Sequence, residues 1–196
     1  MERRVHILSR TEIFRRAIFR IDELRLQHER YDGSMSAPIT RLVLNRGDSV
    51  AILLHDPARR MVVLCEQFRP PTLDHGVGWL LELPAGMVEP GEPPEACARR
   101  EVVEETGYPL TRIDHVATAY LSPGGSSERV HIFHAEVSVR DDAPLTAGLA
   151  GEGEDIRVVG LEVDDAFAKA KAGEIIDAKT LVALQWLELR LRTMSR

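Results

Sequence analysis

Residues 86–108 constrain the fold of this 196-residue chain more tightly than any other segment. They predict a helix over Pro93–Thr106, because a proline in the first turn and a glycine, Gly107, just past the end are usual at the two ends of a helix. Glu101 and Glu105 are four residues apart and therefore share one face of this helix. Like charges at this spacing repel, and the helix dipole disfavours anions near the C-terminal end. The segment therefore needs a cation close to these carboxylates.

Two kinds of cation can compensate for this negative charge. Arg100 lies four residues before Glu104 and is predicted to pair with it, which leaves Glu101 and Glu105 without a partner. Carboxylate oxygens are ligands that Mg²⁺ prefers, and Mg²⁺ commonly takes one or two of them together with water and substrate phosphates. The alternative is a solvated acidic surface, which is the usual role of charge runs on exposed helices.

The complete spacing of the segment favours the metal site. A glycine, five residues, a glutamate, seven residues, Arg-Glu, an aliphatic residue, any residue, Glu-Glu, any residue, a glycine and an apolar residue follow one another. This pattern resembles the Nudix box, although a tyrosine fills a final position that is more often aliphatic. The fixed positions are Gly86, Glu92, Arg100, Glu101, Val102, Glu104, Glu105, Gly107 and Tyr108.

Segments outside the box extend the resemblance over nearly the full length. They resemble the branch of the Nudix superfamily that contains ADP-ribose pyrophosphatases and other nucleoside-diphosphate-sugar hydrolases. Pro123 lies 16 residues after Gly107, at the proline position associated with the ADP-ribose members. The similar segments are 46–51, 66–69, 79–86, 122–129, 151–156 and 183–187.

The order of predicted strands and helices is mixed rather than a strict βαβ repeat, which indicates an α+β fold. The resemblance implies a Nudix α/β/α sandwich with a mixed β-sheet in residues 46–196. Residues 1–45 are predicted to form an N-terminal β region with an antiparallel hairpin, whose strands lie near 18–26 and 39–44. Because this region carries more apolar residues than a hairpin can bury, it predicts a homodimer with the hairpin at the interface.

Three further predictions concern the second half of the chain. Residues 141–154 are rich in glycine, alanine and acidic residues, and they are predicted to form a mobile loop that closes on substrate. Asp164 or Asp165 is predicted to cap a short helix that stops near Gly173. Asp177 is predicted to cap the last helix.

The resemblance also implies roles for individual acidic residues. Glu152 matches the general base and Glu154 matches a metal ligand, but the assignment between them stays open because carboxylates near shared metal ions titrate as a set. Glu104 is either a further metal ligand or only the ion-pair partner of Arg100. The catalytic metal ions would be bound by Ala85 through its carbonyl oxygen and by Glu101, Glu105, Glu154 and Glu104.

Substrate contacts are expected from both regions of the chain. Arg69 would hold the diphosphate, a task that suits the planar guanidinium fork. By the same resemblance, Glu128 would engage the terminal ribose or the attacking water, and Glu82 would also bind substrate. Arg41 would be donated across a dimer. The box residues with expected structural roles are Gly86, Glu92, Arg100 and Gly107.

Charge and cysteine content exclude several classes of protein. The chain has 25 Lys and Arg against 31 Asp and Glu, a net charge of −6, which argues against binding to a nucleic-acid backbone. Two cysteines, Cys65 and Cys97, do not make a disulfide framework. The N-terminus lacks a signal-peptide core, and no apolar run approaches the roughly 20 residues of a membrane span. These features predict a cytoplasmic protein without nucleic-acid or membrane partners.

The resemblance implies an enzyme that uses Mg²⁺, with Mn²⁺ as a substitute, to hydrolyse the pyrophosphate bond of a nucleoside diphosphate sugar. ADP-ribose, which would give AMP and ribose 5-phosphate, is the first expectation. GDP-mannose is the alternative, because residues 173–180 resemble that branch. An alternative of another class is a regulator that binds ADP-ribose without cleaving it. The complete box and the acidic chain, with no room for a DNA-binding module, argue against such a regulator.

Overall fold

The structure is a computed structural model that describes residues 3–140, 146–148 and 154–194. The chain divides into two compact units. Each unit contains its own β-sheet. The first unit consists of Met1–Gly47 and Tyr120–Arg129, and the second of Asp48–Ala119 and Val130–Arg196.

The first unit contains an antiparallel sheet of three strands, β1 (Val5–Arg16), β2 (Phe19–His28) and β3 (Ile39–Asn45). They lie in the order β1-β2-β3. β2 and β3 form the predicted hairpin, because they pair in antiparallel register from Arg20 with Asn45 to Leu26 with Ile39. β1 extends this hairpin by a strand that the sequence analysis did not locate.

β1 escaped the sequence analysis for two physical reasons. Its pairing with β2 shifts register twice, between Ile7 and Ser9 and between Glu12 and Phe14. Such bulges interrupt the alternation of side chains that identifies a strand. Every residue of β1 is also exposed within the single chain, so no buried face imposes a two-residue apolar period.

The second unit is built on a mixed sheet, to which eight strands of the described residues belong. The strands are β4 (Ser49–Asp56), β5 (Met61–Phe68), β6 (Trp79–Glu82), β7 (Ala85–Met87), β8 (Asp114–Tyr120), β9 (Arg129–Glu136), β10 (Thr146–Ala147) and β11 (Ile156–Glu162). Six follow the order β10-β11-β5-β4-β9-β8, while β6 pairs with β5 and β7 pairs with β4. β4 and β9 are parallel, whereas β4 is antiparallel to β5 and β7. The predicted mixed sheet is therefore confirmed.

Helices cover both faces of this sheet. Within the described ranges they are α1 (Pro94–Thr106), α2 (Val163–Ala172) and α3 (Ala178–Met194). Side chains of β4 alternate between two apolar cores: Val50 and Ile52 join the core that contains α1, and Ala51 and Leu53 join the core that contains α2 and α3. The α/β/α sandwich is thus confirmed. None of these three helices is long and apolar enough to cross a membrane.

Of the two predicted helix caps, one is wrong and one is confirmed. The N-cap of α2 is Glu162, without a side-chain cap hydrogen bond, so the predicted cap at Asp164 or Asp165 is wrong. Both aspartates lie in the first turn instead, where the helix dipole favours anions. The predicted cap of α3 is confirmed, because Asp177 Oδ2 accepts a hydrogen bond of 3.0 Å from the backbone N–H of Thr180.

The predicted loop over residues 141–154 lies mostly outside the described residues. The structure describes residues 146–148 and Glu154 within it. Two of these residues form β10, which pairs with β11. The predicted mobility and closure of this loop stay predictions.

Candidate functional site

α1 carries the central acidic residues of the candidate site and is anchored through its apolar side. Cys97, Ala98 and Val102 are fully buried in the core on this side of the sheet. The helix ends at Thr106 and is capped by Gly107, whose left-handed φ of 71° suits a residue without a side chain. Packing of α1 against β4 and β7 brings its last two turns beside the backbone of β7.

Glu105 is the most buried acidic residue of α1, with 3% of its surface exposed. Its Oε2 accepts a hydrogen bond of 2.8 Å from the backbone N–H of Ala85. Burial raises the pKa of the Glu105 carboxyl to about 8, because the charged form loses its hydration. The hydrogen bond from Ala85 opposes this rise, the charge of Glu101 adds to it, and the charge of Arg69 opposes it. A cation beside Glu105 would therefore favour its ionised form.

The Glu101 carboxylate lies against Gly86, the residue that follows Ala85 in β7. A Cβ atom at Gly86 would come within 2.0 Å of the Glu101 carboxylate, so only glycine permits this approach. Burial raises the pKa of Glu101 above its ordinary value, while the charge of Arg100 opposes the rise. The carboxylates of Glu101 and Glu105 thus lie beside two successive residues of β7.

Arg100 joins three carboxylates of the box. Its Nη1 donates to Glu101 at 2.8 Å and to Glu104 at 3.1 Å. Its Nε and Nη2 donate to the two oxygens of Glu92 at 3.2 and 3.1 Å, a bidentate contact that ties the loop before α1 to the helix. The predicted pair with Glu104 is confirmed. The prediction that Glu101 lacks a cationic partner is wrong, because the guanidinium also reaches its neighbour in sequence.

The acidic loop contributes one described carboxylate to this region. Burial is the main cause of the raised pKa values of Glu101 and Glu105, and the negative charge of Glu154 contributes to both. Glu154 is therefore close enough to act on both carboxylates. Glu152, the predicted general base, lies outside the described residues.

Two cations share the buried carboxylate of Glu82, which has 2% of its surface exposed. Arg69 Nε donates to Oε1 at 2.6 Å, and Lys179 Nζ donates to Oε2 at 2.5 Å. The Arg69 side chain is 37% exposed, whereas that of Lys179 is 13% exposed. Arg69 thus lies at the border between the buried charges and the solvent.

The first turn of α3 supports this cluster. Asp177 Oδ1 accepts a hydrogen bond of 2.8 Å from Lys179, while Oδ2 accepts from the hydroxyl of Thr180 at 2.6 Å. The Thr180 hydroxyl oxygen in turn accepts from the backbone N–H of Leu83 at 2.9 Å. These contacts attach the start of α3 to the end of β6, which carries Glu82.

Lys179 is the residue of this cluster that the sequence analysis missed. Its partner Glu82 lies 97 residues earlier in the chain, so no spacing rule connects them. One local signal was available, because the helix dipole disfavours a cation in the first turn. A lysine directly after the Asp177 cap therefore indicates that acidic groups lie nearby.

Glu128 and Arg41 lie in the first unit. Glu128 is buried, its carboxylate lies 3.6 Å from Arg46, and its backbone N–H donates to Ser126 Oγ at 3.2 Å. Arg41 is exposed on β3 and donates from Nη1 to the carbonyl of Thr40 at 2.8 Å. Their expected roles in substrate binding stay predictions.

The second unit offers groups for a cation and for an anion. Among the described residues, no group of three His, Cys, Asp or Glu side chains is arranged to hold a metal ion by itself. Mg²⁺ does not require such a group, since it binds through one or two carboxylates plus water and substrate phosphates. Glu101 and Glu105 can supply these carboxylates, and the guanidinium of Arg69 can bind phosphate oxygens.

Comparisons with known proteins show which family and which relatives this chain is similar to. Residues 45–184 match the family model described as the NUDIX domain. The chain is 40% identical over 186 residues to the ADP-ribose pyrophosphatase of Escherichia coli, and the match covers 94% of this chain and 88% of that protein. It is 35% identical over 189 residues to the ADP-ribose pyrophosphatase of Haemophilus influenzae, covering 94% and 86%. It is also 41% identical over 160 residues to the GDP-mannose pyrophosphatase of Yersinia pestis, covering 81% and 79%.

Glu105→Gln should stabilise the protein when metal ions are removed. An unfolded chain releases the Glu105 proton near the ordinary pKa of 4.5, whereas the folded chain holds it until the pH nears about 8. The free energy of unfolding therefore falls as the pH rises through this interval, by up to about 1.4 kcal/mol per pH unit. Glutamine removes this loss and keeps an oxygen that can accept the N–H of Ala85. We expect a gain on the order of 2 kcal/mol at about pH 8 and a small one at about pH 5.

Thermal unfolding in a chelator at the two pH values measures this gain. Glu95→Gln is the matched control, because Glu95 is exposed on the same helix and pairs with Arg99. The control should change Tm equally at both pH values. A Glu105→Gln protein with the pH dependence of the unsubstituted protein would show that Glu105 does not hold its proton in the folded state.

Proposed function

Because this chain belongs to the Nudix family, we propose that it is a pyrophosphohydrolase of nucleoside diphosphate sugars. Its preferred substrate is ADP-ribose, which it converts to AMP and ribose 5-phosphate. The two relatives named ADP-ribose pyrophosphatase support this choice, because each aligns with 94% of the chain. The complete Nudix box supports catalysis rather than binding alone.

One observation of the structure carries the proposal. Glu105 accepts a hydrogen bond from the N–H of Ala85, and the Glu101 carboxylate occupies the space that a side chain at Gly86 would need. A buried and a half-buried carboxylate are thus gathered at one strand, although burial raises the pKa of each and the charge of Glu101 raises that of Glu105 further. An arrangement that is unfavourable by itself is expected where a ligand of opposite charge binds.

The donors present fit a divalent cation. Nudix hydrolases generally use divalent metal ions, and for this chain we propose Mg²⁺, with Mn²⁺ as a substitute. Carboxylate and carbonyl oxygens are the ligands that both ions accept. The bound cation would neutralise charge on the pyrophosphate and make the attacking water more acidic. The proposed ligands are Glu101, Glu105 and the carbonyl oxygen of Ala85, with Glu154 and Glu104 as further candidates.

The remaining steps are assigned to residues of the chain. A loop carboxylate, Glu152 or Glu154, accepts the proton of the water as it attacks phosphorus in line with the leaving oxygen. Arg69 holds the phosphate oxygens through the terminal N–H groups of its guanidinium. The bond between that phosphorus and the bridging oxygen breaks, so two phosphomonoesters leave without a covalent enzyme intermediate.

GDP-mannose is the second candidate substrate. A relative that carries the name GDP-mannose pyrophosphatase is similar to most of this chain. The segment 173–180, whose residues resemble that branch, contains Asp177, Lys179 and Thr180. Lys179 donates directly to the carboxylate of Glu82, which also binds Arg69, and Asp177 accepts a hydrogen bond from that lysine. The segment that suggests the alternative substrate therefore adjoins the proposed phosphate contact.

We further propose a homodimer that works in the cytoplasm. β1 exposes 57% of Ile7 and 51% of Ile13 in the single chain, and exposed apolar side chains on one strand favour association. Substrate binding by Arg41 and Glu128 belongs to this proposal. The described cysteines are free thiols, which fits a reducing compartment.

The purified protein should hydrolyse ADP-ribose in Mg²⁺ and lose this activity in a chelator. A panel of nucleotide sugars and dinucleotides, coupled to a phosphatase that releases inorganic phosphate from the products, measures the preference. A higher kcat/KM for GDP-mannose would select the second candidate. Failure to hydrolyse any member of the panel contradicts the proposed function.

Glu101→Gln should lower kcat at least about 100-fold, the scale of losing charge stabilisation in a transition state. The glutamine is nearly the same size, so it should leave the packing against Gly86 intact. Glu95→Gln on the same helix is again the control and should keep kcat within about twofold. Near-normal turnover by a folded Glu101→Gln protein would remove Glu101 from the proposed metal site.

Replacing Ile7 and Ile13 by lysine should convert the dimer to a monomer, because the added charges cannot be buried at an interface. Both side chains are exposed in the single chain, so each unit should keep its fold. Light scattering at micromolar concentration measures the molar mass. Leu189→Lys is the control, since Leu189 is a 64% exposed apolar residue of α3. An unsubstituted protein that is monomeric and fully active would refute the proposed dimer.

A further inference from the structure

The two oxygens of Glu82 are divided between two cations. Arg69 donates to Oε1 only through Nε, at 2.6 Å, and Lys179 occupies Oε2 at 2.5 Å. The terminal nitrogens of Arg69, Nη1 and Nη2, have no hydrogen-bond partner within the part of the chain that the structure describes. The half of the guanidinium that faces away from Glu82 is therefore available to a ligand.

An arginine that donates one hydrogen bond to a carboxylate tends to donate a second one to its other oxygen. The guanidinium fork matches the spacing of two carboxylate oxygens, so bidentate pairs are common. With Oε2 free, Arg69 could turn to use Nε and a terminal nitrogen together on Glu82. Lys179 blocks this geometry because its ammonium already occupies the second oxygen.

Lys179 is itself held in place from the other side. Asp177 Oδ1 accepts a second hydrogen bond from its ammonium at 2.8 Å. The same aspartate is fixed as the cap of α3 through Thr180, whose hydroxyl oxygen accepts from Leu83. The lysine therefore has little freedom to leave Oε2.

The cost of this arrangement indicates a role beyond stability. Burying a lysine and two carboxylates loses hydration energy that their mutual attraction only partly returns, and apolar residues of similar volume often stabilise a protein as well or better. Lys179 is 13% exposed and Glu82 is 3% exposed at their side chains. A cluster of this kind is expected where the position of a charge matters more than the free energy of unfolding.

We propose that Lys179 is a positioning residue, which occupies Glu82 Oε2 and thereby keeps the terminal N–H groups of Arg69 free for a substrate phosphate. The inference deepens the proposed function and rests on it, since Arg69 is there assigned to the diphosphate. Asp177 assists by holding the lysine. The first turn of α3 thereby controls how well the site binds phosphate, without touching the substrate.

Lys179→Met tests the proposal, because methionine has a similar length and cannot donate a hydrogen bond. We expect the dissociation constant for inorganic pyrophosphate in Mg²⁺ buffer to rise about 10-fold, within the range of couplings between residues in contact. The KM of the nucleotide sugar should rise by a similar factor, while kcat changes less. Lys171→Met is the control for the loss of one positive charge, since Lys171 is an exposed residue that pairs with Glu188.

The same substitution in an Arg69→Gln background separates positioning from direct binding. If Lys179 acts through Arg69, Lys179→Met should then change pyrophosphate affinity less than about twofold. An undiminished loss in that background would mean that the lysine binds phosphate itself and would overturn the proposal. The proposal would also be overturned if the folded Lys179→Met protein, with Arg69 unchanged, bound pyrophosphate as tightly as the unsubstituted protein.

A replacement variant and the behaviour of the unsubstituted protein complete the test. Lys179→Leu, which also cannot donate a hydrogen bond, replaces Lys179→Met throughout if the methionine variant does not unfold cooperatively on heating. If the unsubstituted protein binds pyrophosphate but hydrolyses no nucleotide sugar, the proposed function fails while the affinities still decide the role of Lys179. If the unsubstituted protein binds no pyrophosphate, the positioning role fails too.

Discussion

The contact between the backbone of β7 and two carboxylates of α1 is the interaction on which the candidate site depends. Ala85 supplies an N–H to Glu105, and Gly86 leaves the space that the Glu101 carboxylate fills. Neither contact forms unless α1 packs tightly on β4, which its buried face of small and apolar residues allows. Close packing thus forces the two carboxyl groups together, and this proximity suits a divalent cation.

Basic residues pair with most of the acidic side chains around this contact. Arg100 takes part of the charge of Glu101 and ties Glu92 and Glu104 to the same helix. Glu82 lies between Arg69 and Lys179. The arginine donates to it through Nε alone, so its two terminal nitrogens do not bind Glu82. Glu105 accepts a hydrogen bond from a backbone N–H, and burial raises the pKa of its carboxyl despite this bond. The terminal N–H groups of Arg69 are therefore open to a ligand, and a cation beside Glu105 would favour its ionised form.

Local patterns in the sequence predicted the acidic helix because its ends and its four-residue spacing are properties of neighbouring residues. They also predicted the Arg100–Glu104 pair and the Asp177 cap. They did not predict the contact of Lys179 with Glu82, which depends on how α3 packs beside β6, 97 residues away in the chain. β1 was missed for a related reason: its bulges and exposure remove the period that a buried face would impose. Glu152 lies beyond the described residues, so its predicted role rests on resemblance.

Metal affinity of a Gly86→Ala protein tests the central claim most directly, because the substitution removes no ligand. The added Cβ would fall within 2.0 Å of the Glu101 carboxylate, which must then move. Gly124→Ala is the control, since a Cβ there meets no atom within 4 Å. In calorimetric titration with Mn²⁺, we expect Gly86→Ala to bind at least about 10-fold more weakly than the unsubstituted protein, the scale on which misplaced ligands lose affinity. Equal affinity for Mn²⁺ in the two folded proteins would contradict the account.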